Sequence, residues 1–238
     1  MTSEPFSRDG AYHTVYDLVR ELPFYRDATD LHMRWLRSIT APHPIVIEAG
    51  GGTGIMNAYA RRVRADADVY LFDINLAMAA QAESRGVPRR KIVIADISEM
   101  SVESRRVDHI FSHSVLWALP RPEAFFAEAG RILKPGGTLA VSTVGENLRR
   151  HRACFIDYLD RHLSHAVRRG RAAPEDRVIF LEQNRRITKA AQSPLSLREL
   201  HELGETHGFE VEVVADCYVV ETPEGPQPYF HQLLYRRR

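Results

Sequence analysis

Four polar side chains close short apolar runs in the first half of the chain. Glu48 follows Ile45-Val46-Ile47, Asp73 follows Val69-Tyr70-Leu71-Phe72, Asp96 comes just after Ile92-Val93-Ile94, and Ser112 follows Ile110-Phe111. Unbroken apolar runs of this length read as strands buried on both faces, as in a parallel sheet covered by helices. Open parallel sheets bind ligands at the carboxyl ends of their strands, so four such residues in register define one site. The first loop reads Glu48-Ala49-Gly50-Gly51-Gly52-Thr53-Gly54. Glycines at 50, 52 and 54 permit a tight strand-to-helix turn and close backbone approach by a ligand. The dinucleotide fingerprint G-x-G-x-x-G fails here, with Ile55 or Asn57 in its last place, and no Gly-Lys-Ser/Thr follows to make a P-loop. A carboxylate beside the turn suits an ammonium group and repels a pyrophosphate.

Asp73 lies 19 residues beyond Gly54. An acid at that position can accept hydrogen bonds from both hydroxyls of a ribose. Asp96, after the third run, can accept from an exocyclic adenine amine. A ligand with an ammonium, a ribose and an adenine but no phosphate satisfies all three acids, and S-adenosylmethionine is such a ligand. The plainer alternative is that each acid only caps the helix that follows it.

The stretch from about Pro44 to Thr143 resembles the core of the class I S-adenosylmethionine-dependent methyltransferases of the small-molecule type. Glu48 to Gly54 is similar to that family's glycine-rich first motif, with Glu where Asp is commoner. Phe72-Asp73-Ile74-Asn75 resembles its ribose-binding segment and Ala95-Asp96-Ile97 its adenine-binding segment. Val107-Asp108-His109-Ile110-Phe111-Ser112 looks like its fourth strand, and Glu128 through Leu133-Lys134-Pro135-Gly136-Gly137 like the helix and turn before its fifth. The resemblance implies S-adenosyl-L-methionine as cofactor, S-adenosyl-L-homocysteine as product, and cofactor contacts from Glu48, Ala49, Gly50, Gly51, Gly52, Asp73, Ile74, Asp96, Ile97, Ser112 and His113. Met78, about one turn into the next helix, either packs on the adenine or belongs to the core. Glu128, Lys134 and Gly137 read as fold-keeping residues.

Methyl transfer from a sulfonium is an in-line displacement, so alignment and desolvation supply much of the rate. A general base is needed only where the nucleophile arrives protonated. His113 stands where relatives often place residues facing the methyl group, and its near-neutral pKa suits a base. Glu146, Asn147 and His151 follow the fifth strand and are expected to line the acceptor pocket, with Tyr12 and Tyr16 closing over the cofactor from the N-terminal side. The fourth-strand segment Ser112-His113-Ser114-Val115 lacks the Asn/Asp-Pro-Pro-aromatic pattern of enzymes that methylate base amines, so nucleic acid is not an expected partner. The arginines at 149, 150, 152, 161, 168, 169 and 171 read either as a solvated helix face or as a site for an acidic group. Aminopropyl transfer, a cofactor-binding protein without turnover, and a relative catalysing a cyclisation remain the alternatives.

These residues require a framework to position them. Helical spacing runs through Tyr12, Tyr16 and Val19 and again through Leu31, Trp35 and Leu36, with Pro23 dividing the two stretches. Amphipathic segments at 54–64, 75–86 and 121–133 alternate with the apolar runs, which is the doubly wound α/β pattern. A helix is expected over 147–170, from Phe155, Leu159 and Leu163, whereas 171–193 is polar and reads as a lid or insertion. Ser196 and Glu199 have the spacing of a capping box, Gly208 ends that helix, and strands are expected at 210–213 and 229–235. The family resemblance adds the topology: a seven-stranded, mostly parallel Rossmann-like sheet in the order 3-2-1-4-5-7-6, its last strand antiparallel, with helices on both faces. One domain is expected, with an N-terminal helical cover (1–40), a cofactor-binding core (41–146), an acceptor-side helical cover (147–207) and C-terminal strands (208–238).

The composition fits that reading. With 238 residues, 44% apolar and 26% charged, the chain resembles an ordinary globular domain, and a net charge of +1 gives no field to draw in nucleic acid. Lysine occurs only at 91, 134 and 189, so the positive charge is nearly all arginine. Cys154 and Cys217 have no redox or metal spacing, and no His/Asp/Glu cluster has ligand spacing, so no metal is expected. MTSEPFSRDG has no signal-peptide core and no run reaches membrane-spanning length. The expectation is a cytoplasmic protein acting on a small, specialised metabolite, with no membrane partner and an oligomeric state open between monomer and homodimer.

Overall fold

The computed structural model describes residues 12–191 and 194–238, the side chains of 216–218 excepted. Cys217 is one of these. Seven strands form one sheet: β1 (Ile45–Ala49), β2 (Asp68–Asp73), β3 (Ile92–Ile94), β4 (Val107–His113), β5 (Leu133–Val144), β6 (Phe209–Thr222) and β7 (Gly225–Arg237). Their order is β3-β2-β1-β4-β5-β7-β6. The first five pair in parallel, and β7 runs antiparallel to both β5 and β6. This is the topology expected from the family resemblance.

The covering helices are α1 (Tyr12–Val15), continued by a 3₁₀ segment over Tyr16–Glu21, then α2 (Pro23–Arg37), α3 (Ile55–Val63), α4 (Leu76–Ser84), α5 (Pro122–Ile132), α6 (Asn147–Arg150), α7 (Arg152–Arg168), α8 (Pro174–Lys189) and α9 (Leu197–Thr206). Pro23 opens α2, where its missing N–H costs nothing. Strand side chains alternate between two cores. Phe111, Ala140 and Leu234 face the side covered by α2 and α7, while Ile110, Leu139, Val141 and Tyr235 face α5 and α9. His113 and Ser142 share the parity of Phe111 and Ala140, so they belong to the α2 side.

Three segments differ from expectation in kind, and the last two strands in length. Strand β5 begins directly after α5 at Leu133, and the pairing with β4 jumps from Val107–Leu133 to His109–Thr138. Lys134 to Gly137 therefore form an irregular strand entry, with Gly136 at φ 77°. There Lys134 Nζ donates to Asp108 Oδ1 at 2.7 Å, and Asp108 Oδ2 accepts from the Ile45 backbone at 2.9 Å, fastening the start of β1. The 147–170 helix is interrupted at His151, whose backbone leaves the helical region (φ −121°, ψ 38°) and whose carbonyl accepts both the Phe155 N–H at 3.2 Å and the Tyr229 hydroxyl at 2.5 Å.

The third difference is the 171–193 segment, whose middle is a regular helix, α8. Pro174 starts it, Glu175 and Asp176 fill its first turn, and Phe180, Leu181 and Ile187 are buried with Gln183, Asn184 and Thr188. Half of that buried set is polar, which is why no apolar stripe announced the helix. The last two strands also run longer than 210–213 and 229–235, meeting at Pro223-Glu224 with Gly225 at φ 96°. The Ser196–Glu199 capping box forms in both directions. No described helix is long and apolar enough to cross a membrane.

Candidate active site

The glycine loop turns because its backbone takes conformations that a side chain would oppose. Gly50, Gly52 and Gly54 have φ of 73°, 53° and 72°. Gly50 and Gly51 donate their N–H groups to the Phe72 carbonyl at 2.8 and 3.1 Å, and Gly52 donates to Asp73 Oδ2 at 2.7 Å. Asp73 Oδ1 accepts from Asn75 N at 2.8 Å. One carboxylate thus joins the end of β2 to the loop after β1, and each oxygen keeps a lone pair for a ligand. Asp73 is not the helix cap. Asn75 fills that role, with Oδ1 accepting from Ala77 N at 2.9 Å and Met78 N at 3.1 Å. Burial pushes the Asp73 pKa up, and the N–H groups of Asn75, Gly52 and Ile74 act against it.

Glu48 lies beneath the loop, 4% exposed, and its Oε2 has no hydrogen-bond partner. Burial drives its pKa well above the carboxylate range; Asn57 beside it opposes the shift and the nearby Asp73 adds to it. A buried acceptor without a donor is costly, and an ammonium group is the partner that would both bond and ionise it. The residues present therefore fit the methionine end and the ribose of S-adenosylmethionine. Asp96 is exposed, and its Oδ1 accepts from Ser98 N at 2.8 Å, so it does cap its own turn while leaving Oδ2 outward. Ile74 is 50% exposed beside Asp73, whereas Ala49, Ile97 and Met78 are buried, Met78 in the same core as Tyr12. The Ser112 hydroxyl donates to the Ala49 carbonyl at 3.0 Å, so it links β4 to β1.

The segment Tyr12–Glu21 crosses this cleft as a strap. Asp17 Oδ1 accepts from Thr53 Oγ1 at 2.8 Å, and the same carboxylate pairs with Arg85, whose Nε donates to the Thr53 carbonyl at 2.8 Å. The Tyr16 ring comes 3.7 Å from the place a Cβ on Gly52 would take. Burial, foremost, raises the Tyr16 pKa, with Tyr12, Asp73 and Glu48 adding to it. The Tyr12 and Tyr16 rings meet edge to face, 5.6 Å apart.

Next to the strap is a cavity bounded by α2, α7 and α8, lined by both tyrosines and by Tyr25, Ser114, Trp117 and Asn184 among others. Val144 and Leu148 form its β5 side. Glu146, Asn147 and His151, expected there, are not among the lining residues. Glu146 is exposed, Asn147 Nδ2 donates to the Pro228 carbonyl at 2.9 Å, and His151 Nε2 lies 3.4 Å from Glu224 Oε2. At Gly145 His231 fills the space a side chain would need, and of α6 only Leu148 lines the cavity.

His113 is buried behind Tyr25, their rings edge to face at 4.7 Å. Its Nδ1 lies 2.5 Å from Ser142 Oγ, which also lies 2.9 Å from His32 Nε2. One hydroxyl can donate to one ring and accept from the other. His113 Nε2 and His32 Nδ1 have no hydrogen-bond partner. Burial pushes the His113 pKa down to about 3 and that of His32 well down, so both rings are neutral at ordinary pH. Sequence reasoning missed His32, Ser142 and Tyr25. The seven-residue spacing of Tyr25 and His32, two turns on one helix face, was the available signal.

Residues 47–141 match the family model described as a methyltransferase domain. The chain is 31% identical over 100 residues to a malonyl-[acyl-carrier protein] O-methyltransferase of Hahella chejuensis, covering 42% of this chain and 36% of the relative. It is 28% identical to a ubiquinone/menaquinone biosynthesis C-methyltransferase of Bordetella parapertussis (55% of this chain, 54% of the relative) and 30% identical to a trans-aconitate 2-methyltransferase of Deinococcus radiodurans (49% and 45%). The matches thus span from about a third to just over half of these relatives' lengths. Among solved structures, magnesium protoporphyrin IX methyltransferase from Synechocystis PCC 6803 with bound S-adenosylmethionine superposes with a TM-score of 0.58 at 14% identity, over 90% of this chain and 80% of that one. A methyltransferase from Aquifex aeolicus gives 0.60 at 15% identity over 98% and 100%. At such identities these two structures speak for the fold alone. With the matched domain, the sheet order and the acid-lined glycine loop together, residues 47–141 form a methyltransferase domain of the class I, S-adenosylmethionine-dependent kind.

Proposed function

We propose that this chain transfers a methyl group from S-adenosylmethionine to a small-molecule acceptor held between the strap, α7 and α8. The observation that carries the reading is the buried, partnerless Glu48 Oε2 at the foot of a glycine loop clamped by Asp73. Glu48 would hold the ammonium, Asp73 the ribose hydroxyls, Asp96 the adenine amine, and Ile74 the face of the base. When bound, the cofactor supplies an activated methyl on a sulfonium. The protein's part is to exclude water, align the acceptor and, for a protonated nucleophile, take up its proton. The enclosed, aromatic cavity supports a metabolite rather than a nucleic acid as acceptor, and the three named relatives support methyl transfer as the reaction.

His113, expected as the base for a near-neutral pKa, does not fill that role: burial lowers its pKa to about 3 and it does not line the cavity, so it accepts a proton poorly at neutral pH. It acts as a positioning residue for Tyr25, held by Ser142, which also meets His32. His113→Gln is expected to change kcat less than ~10-fold, with no new limb in the pH profile over about pH 5–9. A loss of ~10²-fold or more with the fold and cofactor affinity intact would return His113 to the role of base.

The cofactor assignment is tested by calorimetric titration with S-adenosylmethionine, S-adenosylhomocysteine and NAD. Micromolar binding of the first two and none of NAD is the expected result. Absence of binding by both sulfur ligands, repeated with candidate acceptors present, would overturn the proposal. Release of S-adenosylhomocysteine with an acceptor then separates methyl transfer from binding without turnover.

A further inference from the structure

We infer that the acceptor is an uncharged molecule presenting a flat ring system, and that the cavity discriminates against acceptors bearing a carboxylate. This inference rests on the reading of the cavity as the acceptor site. Among the described residues, the cavity lining contains no charged side chain, and eight of the sixteen lining residues are aromatic, which leaves an anion nothing to pair with.

Three of the cations nearby are matched on the cavity's outer side, and Arg152, whose buried Nε has no partner, is not among the lining residues. Arg85 pairs with Asp17, Arg171 with Glu21 and Arg177 with Asp160. The arginines at 149, 150, 161, 168 and 169 are exposed and do not line the cavity.

Most of the polar atoms in the wall are spent internally. Asn184 Nδ2 donates to the Phe180 carbonyl at 2.8 Å, and Thr188 Oγ1 donates to the Asn184 carbonyl at 2.6 Å. Ser114 receives the Trp117 indole N–H on its carbonyl at 2.9 Å. The groups left to meet an acceptor are the phenols of Tyr16 and Tyr25, which burial keeps protonated, while the Tyr12 phenol is engaged with Asn184. Neutral phenols can orient a hydroxyl or a carbonyl on a ring. They do not repay the desolvation of a carboxylate, which in a buried site requires a cation.

The wall's geometry selects for flatness. Phe24 and Phe230 stack at 4.1 Å with planes 18° apart, and Phe155 lies within 14° of parallel to Tyr229 behind it. Phe24, Phe155 and Phe230 all line the cavity. Phe155 is tilted 45° from Phe24 and 47° from Phe230, so the wall presents two ring planes. A rigid planar partner can stack on one and meet the other at a tilt, whereas a flexible chain would lose rotamer freedom on entry.

The test uses the full chain saturated with S-adenosylhomocysteine and a pair of probes with the same rings, 1-naphthol and 1-naphthoate. Calorimetry is expected to show 1-naphthol binding at least tenfold more tightly than 1-naphthoate. Phe155→Leu should weaken 1-naphthol at least fivefold while S-adenosylhomocysteine affinity stays within twofold. Equal or tighter binding of 1-naphthoate, or no binding of 1-naphthol to the loaded protein, would overturn the acceptor class and leave the cofactor assignment standing. Binding of 1-naphthol that ignores Phe155→Leu would instead overturn the cavity as the acceptor site. Failure of S-adenosylhomocysteine to bind at the outset would strike the underlying proposal.

Discussion

Asp73→Ala is expected to weaken S-adenosylmethionine binding by roughly 30- to 1000-fold, the ~2–4 kcal/mol of two hydrogen bonds to a charged acceptor. The structure adds a second route to the loss, because the same carboxylate accepts from Gly52 N and Asn75 N and so shapes the loop. Two further variants separate contact from shaping. Asp73→Asn keeps one acceptor oxygen and should fall between wild type and alanine. Asn75→Ala removes the cap of α4, costs about 1 kcal/mol of stability and leaves both Asp73 oxygens in place, so its effect on binding should be small. If Asn75→Ala weakens binding as much as Asp73→Ala, shaping is the cause. A folded Asp73→Ala protein with wild-type affinity for S-adenosylhomocysteine would remove Asp73 from the cofactor site.

The framework behind that prediction was legible because its strands announce themselves. The runs before Glu48, Asp73 and Ser112 are buried on both sheet faces, and such strands need no alternation to be recognised. Asp73 could be read as ribose acceptor or as helix cap, and only the side chain of Asn75, turned back onto Ala77 and Met78, decides between them. Asp96 carries both features at once, since one oxygen caps while the other faces out. Ser112 has the right position on β4, but its hydroxyl points through the sheet to Ala49. The acceptor side was the least legible part. Its cavity depends on α8, a helix whose buried face includes Gln183, Asn184 and Thr188, and on the meeting of α2 with β4 and β5. Ser142 and His32 are separated by 110 residues, and no local pattern reports such a contact. Glu146, Asn147 and His151 follow the right strand, but α6 turns Leu148, between them, into the cavity and leaves these three outside it.

Acid is expected to unfold this protein well before its carboxylates are fully protonated. Burial pushes His109 and His113 down to about 3, and lowers His32 as well, against about 6.5 for an exposed imidazole. Between those values the unfolded chain binds protons that the folded chain refuses, so stability rises with pH across that window and falls as acid is added. Each such histidine contributes ~1.4 kcal/mol per pH unit. Glu48 and Asp73 act oppositely, because their raised pKa values favour a protonated folded state above about pH 4.5. Burial lowers His162 and His231 too, so five histidines oppose two carboxyls and stability falls between about pH 7 and pH 5. Urea midpoints at the two pH values measure it. His109 identifies the cause, since its Nδ1 meets only Thr138 Oγ1, 2.8 Å away, and its Nε2 is buried without a partner. His109→Gln should flatten the dependence by ~1.4 kcal/mol per pH unit without touching the cofactor loop. A urea midpoint that does not move between pH 7 and pH 5 would mean that the buried imidazoles acquire protons without unfolding. The lowered His113 pKa would then be wrong as well.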